Sequence, residues 1–123
     1  MLATYSLVAF IATTNGPGAR AFYEGMLGLE FVSDDMFAIA LRGKGTSLRI
    51  TKVEEVVVAP YTVLGWEVPD VSVAVNELAA AGVRFERIPG LEQDANGVWS
   101  APGGTKVAWF KDPDGHTLSL SSQ

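Results

Sequence analysis

The sequence contains no cysteine and only one histidine, His116. The absence of cysteine excludes disulfides, thiolate catalysis and thiolate metal sites, and a single histidine excludes zinc sites built from several histidines. Basic residues are also few, with 9 lysines and arginines against 14 acidic residues and a formal net charge of -5. Because no basic patch can neutralise several phosphates, we expect no nucleic-acid partner.

Long hydrophobic runs are also missing. No apolar stretch approaches the roughly 20 residues that a membrane-spanning helix requires. The apolar segment from Met1 to Ala12 lacks the charged region and small-residue cleavage site of a signal peptide. We therefore expect a cytoplasmic protein that does not bind membranes. What is present is 123 residues, 48% of them hydrophobic, which is enough to bury the core of a single domain over residues 1–123.

Two segments carry the pattern of an amphipathic helix, with apolar residues at i, i+3, i+4, i+7 and i+8. These residues are Ala19, Phe22, Tyr23, Met26 and Leu27 in the first segment, and Val71, Ala74, Val75, Leu78 and Ala79 in the second. Each pattern ends at a glycine, Gly28 or Gly82, which favours a left-handed C-terminal stop. We predict helices over Pro17–Leu27 and Asp70–Ala81, with Asp70 as an N-cap.

Segments rich in β-branched and apolar residues predict the strands. They are Tyr5 to Ala12, Leu29 to Ser33, Phe37 to Leu41, Ser47 to Lys52, Tyr61 to Val68, Val83 to Phe85, Lys106 to Phe110 and Thr117 to Ser121. Each half of the chain then has the order β-α-β-β-β, so we predict an α+β fold built of two modules, 1–58 and 59–123. The segment from Arg87 to Gly104 is predicted as a long loop that carries Trp99.

Apolar and polar residues alternate in two of the predicted strands, as expected when one face of a sheet packs against helices. The polar positions are Ser47, Arg49 and Thr51 in one strand, and Thr117, Ser119 and Ser121 in the other. The face that they form is either an ordinary solvated surface or the wall of a ligand cleft. Alternation does not separate these two interpretations.

Two short motifs, one in each half, resemble those of the vicinal oxygen chelate superfamily. The first is Phe22-Tyr23 followed by Leu27-Gly28-Leu29, and the second is Asp112-Pro113-Asp114-Gly115-His116 leading into Leu118-Ser119-Leu120. The superfamily includes glyoxalase I, the fosfomycin- and bleomycin-resistance proteins and the extradiol dioxygenases. The resemblance covers essentially the whole chain. It implies curled, mainly antiparallel sheets around a cleft, helices outside, and a homodimer.

The resemblance also implies four positions for metal ligands, which fall here at Val8, Arg49, Val63 and Ser119. Valine has no donor atom, arginine repels cations, and a neutral serine hydroxyl is a poor ligand for a divalent ion. We therefore predict a member of the superfamily without its metal site and without a cofactor. In the second motif, Asp112, Asp114 and His116 are interpreted as turn residues rather than catalytic groups.

We predict that the cleft binds a small organic molecule, planar and with an anionic group, held by Arg49 and covered by Trp99. The alternatives for Arg49 are a salt bridge to Glu67 or simple exposure, and the remaining tryptophans, Trp66 and Trp109, are assigned to the core. The predicted ligand-binding residues are Val8, Phe10, Arg49, Tyr61, Val63, Glu67, Trp99, Ser119 and Ser121.

Three functions remain open from the sequence. One is a non-enzymatic binder that resembles the bleomycin-resistance proteins. The second is a metal-independent lyase or isomerase, for which Glu67, His116 and Tyr61 are the available proton carriers. Since no two of these can be paired from the sequence, catalytic residues are not assigned. The third is a dimeric scaffold without a small ligand.

Overall fold

The computed structural model describes residues 1–122, which form an α+β fold with two four-stranded sheets. The chain divides into two compact units, of which the first is Met1–Val58 and the second begins at Ala59. Each unit has the order β-α-β-β-β, as predicted, and each sheet is open rather than closed into a barrel. The predicted fold class is therefore confirmed.

The first unit contains four strands: β1 (Val8–Thr13), β2 (Glu30–Asp34), β3 (Ala38–Gly43) and β4 (Thr46–Lys52). Their order in the sheet is β1-β4-β3-β2. Strand β1 runs parallel to β4, and the other two pairs are antiparallel. A register shift between Phe31 and Ser33 places a bulge in the edge strand β2.

The helix of the first unit, α1, begins as an α-helix over Gly16–Arg20 and continues as π-helix over Ala21–Met26. The Asn15 side chain caps it by accepting a hydrogen bond from the Gly18 N–H at 3.0 Å. Beyond its C-terminal end, Gly28 has φ +77°, the left-handed conformation predicted there. The predicted bounds are confirmed to within one residue, but the π-helical turn was not predicted.

The second unit contains β5 (Thr62–Glu67), the helix α2 (Val71–Ala80), β6 (Trp99–Ser100), β7 (Lys106–Lys111) and β8 (Thr117–Ser121). Their sheet has the order β5-β8-β7-β6, with β5 parallel to β8. The carboxylate of Asp70 caps α2 by accepting the Val73 N–H at 3.1 Å, as predicted. Gly82 follows the helix with φ +105°.

Two predictions about the second unit are wrong. Val83 to Phe85 is not a strand, because its only ladder contact is an isolated bridge between Phe85 and Phe110. The place beside β7 is taken instead by β6, which lies inside the segment predicted as a long loop. Phe85 contacts β7 mainly through its ring, whose centroid lies 5.4 Å from that of Phe110.

Each sheet has one face that carries the buried apolar side chains of its unit. In the first unit these are Ile11, Ile39, Leu41, Leu48 and Ile50, with Ala19, Phe22 and Tyr23 from α1, and in the second they are Ala108, Phe110, Leu118 and Leu120, with Val71 and Val75 from α2. We call the opposite side of each sheet its open face. The alternation predicted for β4 and β8 is confirmed, since Ser47, Arg49 and Thr51 alternate with buried residues in β4, and Thr117, Ser119 and Ser121 do so in β8.

Within residues 1–122, no helix is both long and apolar enough to cross a membrane.

Candidate functional site

The open face of the first unit centres on Arg49 in β4. Its register partners are Phe10 in β1 and Ala40 in β3, so the three side chains lie in one row across the sheet. Phe10 is 65% exposed, and Ala40 is too small to cover the guanidinium from the other side. The row therefore presents a cation beside an exposed aromatic ring. Ser47 and Thr51 lie two residues away on the same face and add hydroxyl groups.

Arg49 makes no ion pair within the first unit. The carboxylate of Asp35, in the turn between β2 and β3, lies near enough for the guanidinium to help lower its pKa. This carboxylate is already engaged, because its Oδ1 accepts the N–H groups of Phe37 and Ala38 at 2.8 and 2.9 Å. Arg49 thus retains donors for a ligand. Its predicted alternative pairing with Glu67 would join the two units and stays a prediction.

The pKa of Asp35 is lowered from its ordinary value of 3.8, chiefly by the backbone N–H of Ala38 and then by that of Phe37. The pKa of Asp94 is lowered too, chiefly by the backbone N–H of Val98. A carboxyl whose folded pKa lies below its unfolded value contributes stability above about pH 4, and this contribution is lost as the pH falls through the folded pKa.

We therefore expect the Asp35→Asn and Asp94→Asn variants to lose less stability than the wild type on acidification. Melting temperatures measured from pH 6 down to pH 3 should diverge below about pH 4, with the wild type falling faster. The Glu54→Gln variant, which changes an exposed acid in the segment after β4, serves as the control. Parallel curves for all four proteins would contradict the assignment of these two carboxylates.

The open face of the second unit contains a row that crosses all four strands. Glu67 in β5 pairs with Ser121 in β8, Ser121 with Val107 in β7, and Val107 with Trp99 in β6. Because directly paired residues project to the same face, a carboxylate, a hydroxyl, an apolar side chain and an indole lie side by side. Three of the predicted site residues, Glu67, Ser121 and Trp99, lie in this row.

The neighbouring row consists of Gly65 in β5, Ser119 in β8 and Trp109 in β7. A Cβ atom at Gly65 would lie 2.8 Å from the Ser119 Oγ and 3.3 Å from the Ser119 carbonyl oxygen. Only glycine therefore leaves the Ser119 hydroxyl in its present position over β5. A glycine inside a strand often marks a place where another group approaches the backbone closely.

The two rows meet at a pair of indoles. The ring centroids of Trp99 and Trp109 are 6.0 Å apart and their planes are inclined by 34°. Both side chains are half-buried, and both lie on the open face. Trp99 was predicted in a loop as a lid, but the structure places it in a strand of the sheet. The assignment of Trp109 to the core is wrong, whereas Trp66 does stack on the buried Phe110 at 6.2 Å.

The remaining predicted site residues are apolar or aromatic and lie near the starts of β1 and β5. Val8 is 46% exposed and pairs with Ser47, two residues along the strands from the Phe10 and Arg49 pair. Val63 is 39% exposed and has no register partner, because a shift between Thr62 and Leu64 makes it the extra residue of a bulge. Tyr61 is 68% exposed and precedes β5.

The turn between β7 and β8 is built around Asp112, which is only 6% exposed. Its Oδ1 accepts hydrogen bonds from the N–H groups of Asp114 and His116 at 3.0 and 2.9 Å. The His116 carbonyl oxygen in turn accepts the Asp112 N–H at 3.1 Å. The interpretation of Asp112 as a turn-forming residue is confirmed, and His116 is buried within this turn rather than presented on the open face.

The sequence model of the Glyoxalase/Bleomycin resistance protein/Dioxygenase superfamily matches residues 6–120. The chain belongs to this superfamily. No curated protein matches the sequence.

Several solved structures show the same fold. The lactoylglutathione lyase of Agrobacterium tumefaciens superposes with a TM-score of 0.74 at 15% identity, over 94% of this chain and 91% of that one. A superfamily member from Sphaerobacter thermophilus gives 0.71 at 23% identity, over 97% of both chains. A glyoxalase-related enzyme from Fulvimarina pelagi gives 0.72 at 19% identity, over 95% of this chain and 86% of that one. At these identities the likeness extends to the fold alone.

The resemblance implies metal ligands at Val8, Arg49, Val63 and Ser119, and none of these side chains offers the carboxylate or imidazole that a divalent ion prefers. The register places Phe10 beside Arg49 and Gly65 beside Ser119. A member of the superfamily without its metal site stays a prediction. Among residues 1–122, no group of three or more histidine, aspartate or glutamate side chains could hold a metal ion.

The sequence did not identify two residues of the row that contains Ser119, namely Trp109 and Gly65. For Trp109 a signal was available, since it alternates with Ala108 and Phe110 and therefore shares a face with Val107. For Gly65 the signal was only a glycine within an otherwise β-favouring segment. Its closeness to Ser119 depends on the pairing of β5 with β8, which the sequence does not specify.

Proposed function

We propose that the protein binds a small planar organic molecule with an anionic group, without a metal ion, in the manner of the bleomycin-resistance members of the superfamily. The observation that carries this proposal is the indole pair Trp99 and Trp109 on an open sheet face, next to the hydroxyls of Ser119 and Ser121. Indole faces are large, rigid and apolar, so they favour stacking with a planar ring. The neighbouring hydroxyls can fix its orientation.

The first unit by itself offers a site for an anionic group. Arg49 carries five donors in a planar fork that matches a carboxylate, and no acidic side chain of its unit forms an ion pair with it. The exposed ring of Phe10 lies beside it in the same row. An aromatic carboxylate combines a charge for Arg49 with a ring that packs on Phe10.

The test uses 2-naphthoate and its uncharged analogue, 2-naphthamide. Replacing Arg49 by alanine should weaken 2-naphthoate binding by about 1.5–3 kcal/mol, the scale of a charged hydrogen bond, and leave 2-naphthamide unchanged. Arg49→Lys should recover only part of the loss, because the fork geometry is absent. On the second unit, Trp109→Leu should weaken 2-naphthamide, since it removes a stacking surface that does not depend on charge. Calorimetric titration measures all of these affinities.

Arg84→Ala provides the control for charge, because Arg84 is also exposed but lies in the segment after α2. Equal affinity of 2-naphthoate for the wild type and Arg49→Ala, or of 2-naphthamide for the wild type and Trp109→Leu, would refute the proposal. So would a loss in Arg84→Ala as large as that in Arg49→Ala, since it would show a general effect of net charge.

A second candidate function is a metal-independent lyase or isomerase. It is favoured by the position of Glu67, whose carboxylate lies beside Ser121 in the row that ends at Trp99. A carboxylate next to a bound ring could accept a proton from it. Turnover of a bound compound that is abolished by Glu67→Gln, while its affinity is retained, would establish this enzyme in place of the binder.

For the assembly, we propose a homodimer in the cytoplasm. Support for the dimer comes from large apolar side chains of the first unit left exposed in the single chain, including Leu2, Leu7 and Val57, which are 73%, 74% and 89% exposed. Exposed apolar surface is typical of interaction sites. Sedimentation equilibrium should give twice the chain mass of 13.1 kDa.

A further inference from the structure

A groove of about 720 Å³ lies beside the edge strand β6, between this strand and the segment that precedes it. This volume falls within the range of roughly 300–1,000 Å³ that is usual for small-ligand sites. We propose that the groove binds a free α-amino acid with an apolar side chain, in zwitterionic form. In this arrangement Lys106 holds its carboxylate, Glu92 its ammonium group, and Trp99 packs against its side chain.

The wall of the groove is fixed by the Gln93 side chain. Its Oε1 accepts the Ile88 N–H at 2.7 Å, and its Nε2 donates to the carbonyl oxygens of Glu86 and Gly97 at 2.9 and 2.7 Å. One side chain therefore joins three points of a segment that has almost no regular secondary structure. These hydrogen bonds fix the shape of the wall before a ligand arrives. Binding therefore costs little conformational entropy of the wall.

Two charged side chains of the wall, those of Arg87 and Asp94, already form hydrogen bonds within it. The Arg87 guanidinium donates to the carbonyl oxygens of Gln93 and Ala95 at 3.3 and 2.9 Å. The Asp94 carboxylate accepts the N–H groups of Asn96 and Val98 at 2.9 and 3.0 Å. These hydrogen bonds stabilise the loop and use part of the hydrogen-bonding capacity of both side chains.

Two other charges of the lining remain free. Lys106 and Glu92 both line the groove, and neither forms an ion pair with any residue among 1–122. An ammonium and a carboxylate at one groove match the two charges of an α-amino acid. A purely anionic or purely cationic ligand would leave one of them without a partner and would be repelled by it.

The groove is distinct from the open face used in the proposed function. Ser100 and Lys106 are register partners and project to the side of the sheet opposite to Trp99, Val107 and Trp109. Trp99 is the residue that the two surfaces share, because it lines the groove and also contacts Trp109. An experiment on Lys106 and Glu92 therefore tests the groove without altering Arg49 or Trp109.

L-Phenylalanine is the probe, and chemical shift changes of the backbone amides in a titration by NMR are the readout. N-Acetyl-L-phenylalanine lacks the cation, and L-phenylalanine amide lacks the anion. We expect L-phenylalanine to shift the amides of residues 91–100 and to bind more tightly than either analogue. Lys106→Gln should weaken L-phenylalanine about threefold to fivefold, the upper end for exposed ion pairs, and leave the amide analogue unchanged. Glu92→Gln should weaken it by a similar factor and leave the acetylated analogue unchanged.

The matched controls are Lys44→Gln and Glu54→Gln, which change exposed charges of the first unit and should not alter binding. Arg49→Ala should also leave L-phenylalanine affinity unchanged. Variants of Lys106 and Glu92 therefore test the groove, whereas variants of Arg49 and Trp109 test the proposed function. Equal affinity for L-phenylalanine and its acetylated analogue would show an anion site and overturn the zwitterion proposal. Shifts confined to residues outside 87–106, or no shifts, would overturn the groove itself.

Discussion

Replacing Phe110 with alanine is expected to lower the free energy of unfolding by about 3–5 kcal/mol, the usual cost of truncating a buried phenylalanine. Phe110 is 0% exposed in β7 and contacts two aromatic rings, Trp66 at 6.2 Å and Phe85 at 5.4 Å. Truncation removes these contacts and leaves a cavity that the paired strands cannot close. Since small proteins are stable by only about 5–15 kcal/mol, this is a large fraction of the total. Urea denaturation measures the loss.

The matched control for this prediction is Phe37→Ala, because Phe37 is 68% exposed and lies just before β3. Removing an exposed ring should change the free energy of unfolding by no more than about 0.5 kcal/mol. Similar losses for the two variants would mean that Phe110 is not the centre of the second unit's core. If Phe110→Ala does not fold, Phe110→Leu keeps most of the apolar volume and should still show a measurable loss.

Replacing Asp112 with alanine should cost about 2–4 kcal/mol, because it leaves two backbone donors of a largely buried turn without their acceptor. These donors are the N–H groups of Asp114 and His116, which lie 3.0 and 2.9 Å from the Asp112 Oδ1. The same turn fixes the register of β7 with β8, and with it the positions of Trp109 and Ser119. The loss should therefore appear in urea denaturation as lower stability and in titrations as weaker 2-naphthamide binding.

Asp112→Asn separates the hydrogen bonds from the charge, because asparagine keeps the acceptor oxygen in the same position. This variant should lose clearly less stability than Asp112→Ala. Equal losses would assign the effect to the negative charge of Asp112 and would contradict the acceptor role inferred for this side chain.

Most of the predicted site residues lie where the alternation of β4 and β8 indicated, on the open faces of the two sheets. Arg49, Ser119 and Ser121 are examples, because a period of two residues fixes the face of a strand residue whatever its pairing. The same rule applied to β7 would have placed Trp109 on this face. It was missed because most aromatic residues of a small domain lie in the core, and this expectation was applied to Trp109 without regard to its face.

The partners of these residues were not predictable. The sequence motifs place Arg49 and Ser119 on the open faces but do not specify that Arg49 pairs with Phe10 and Ser119 with Gly65. A shift of two residues along a strand would leave every side chain on the same face, so the pattern of polar and apolar residues does not distinguish between such registers. The bulge at Val63 adds a further shift that no local feature of the sequence specifies.

The sequence by itself determined both helices, their terminal glycines Gly28 and Gly82, and the repeat of one β-α-β-β-β module. These features depend on contacts between residues a few positions apart and on the conformation of single residues. Tertiary structure alone decided that Val83 to Phe85 leaves the sheet and that Trp99 enters it beside β7. It also decided how Gln93 closes the segment before Trp99, through hydrogen bonds to Glu86, Ile88 and Gly97. Val83 to Phe85 and β6 are the two candidates for the edge position beside β7. The one that buries its side chains better against β7 takes this position, and the burial depends on contacts that form only in the folded chain.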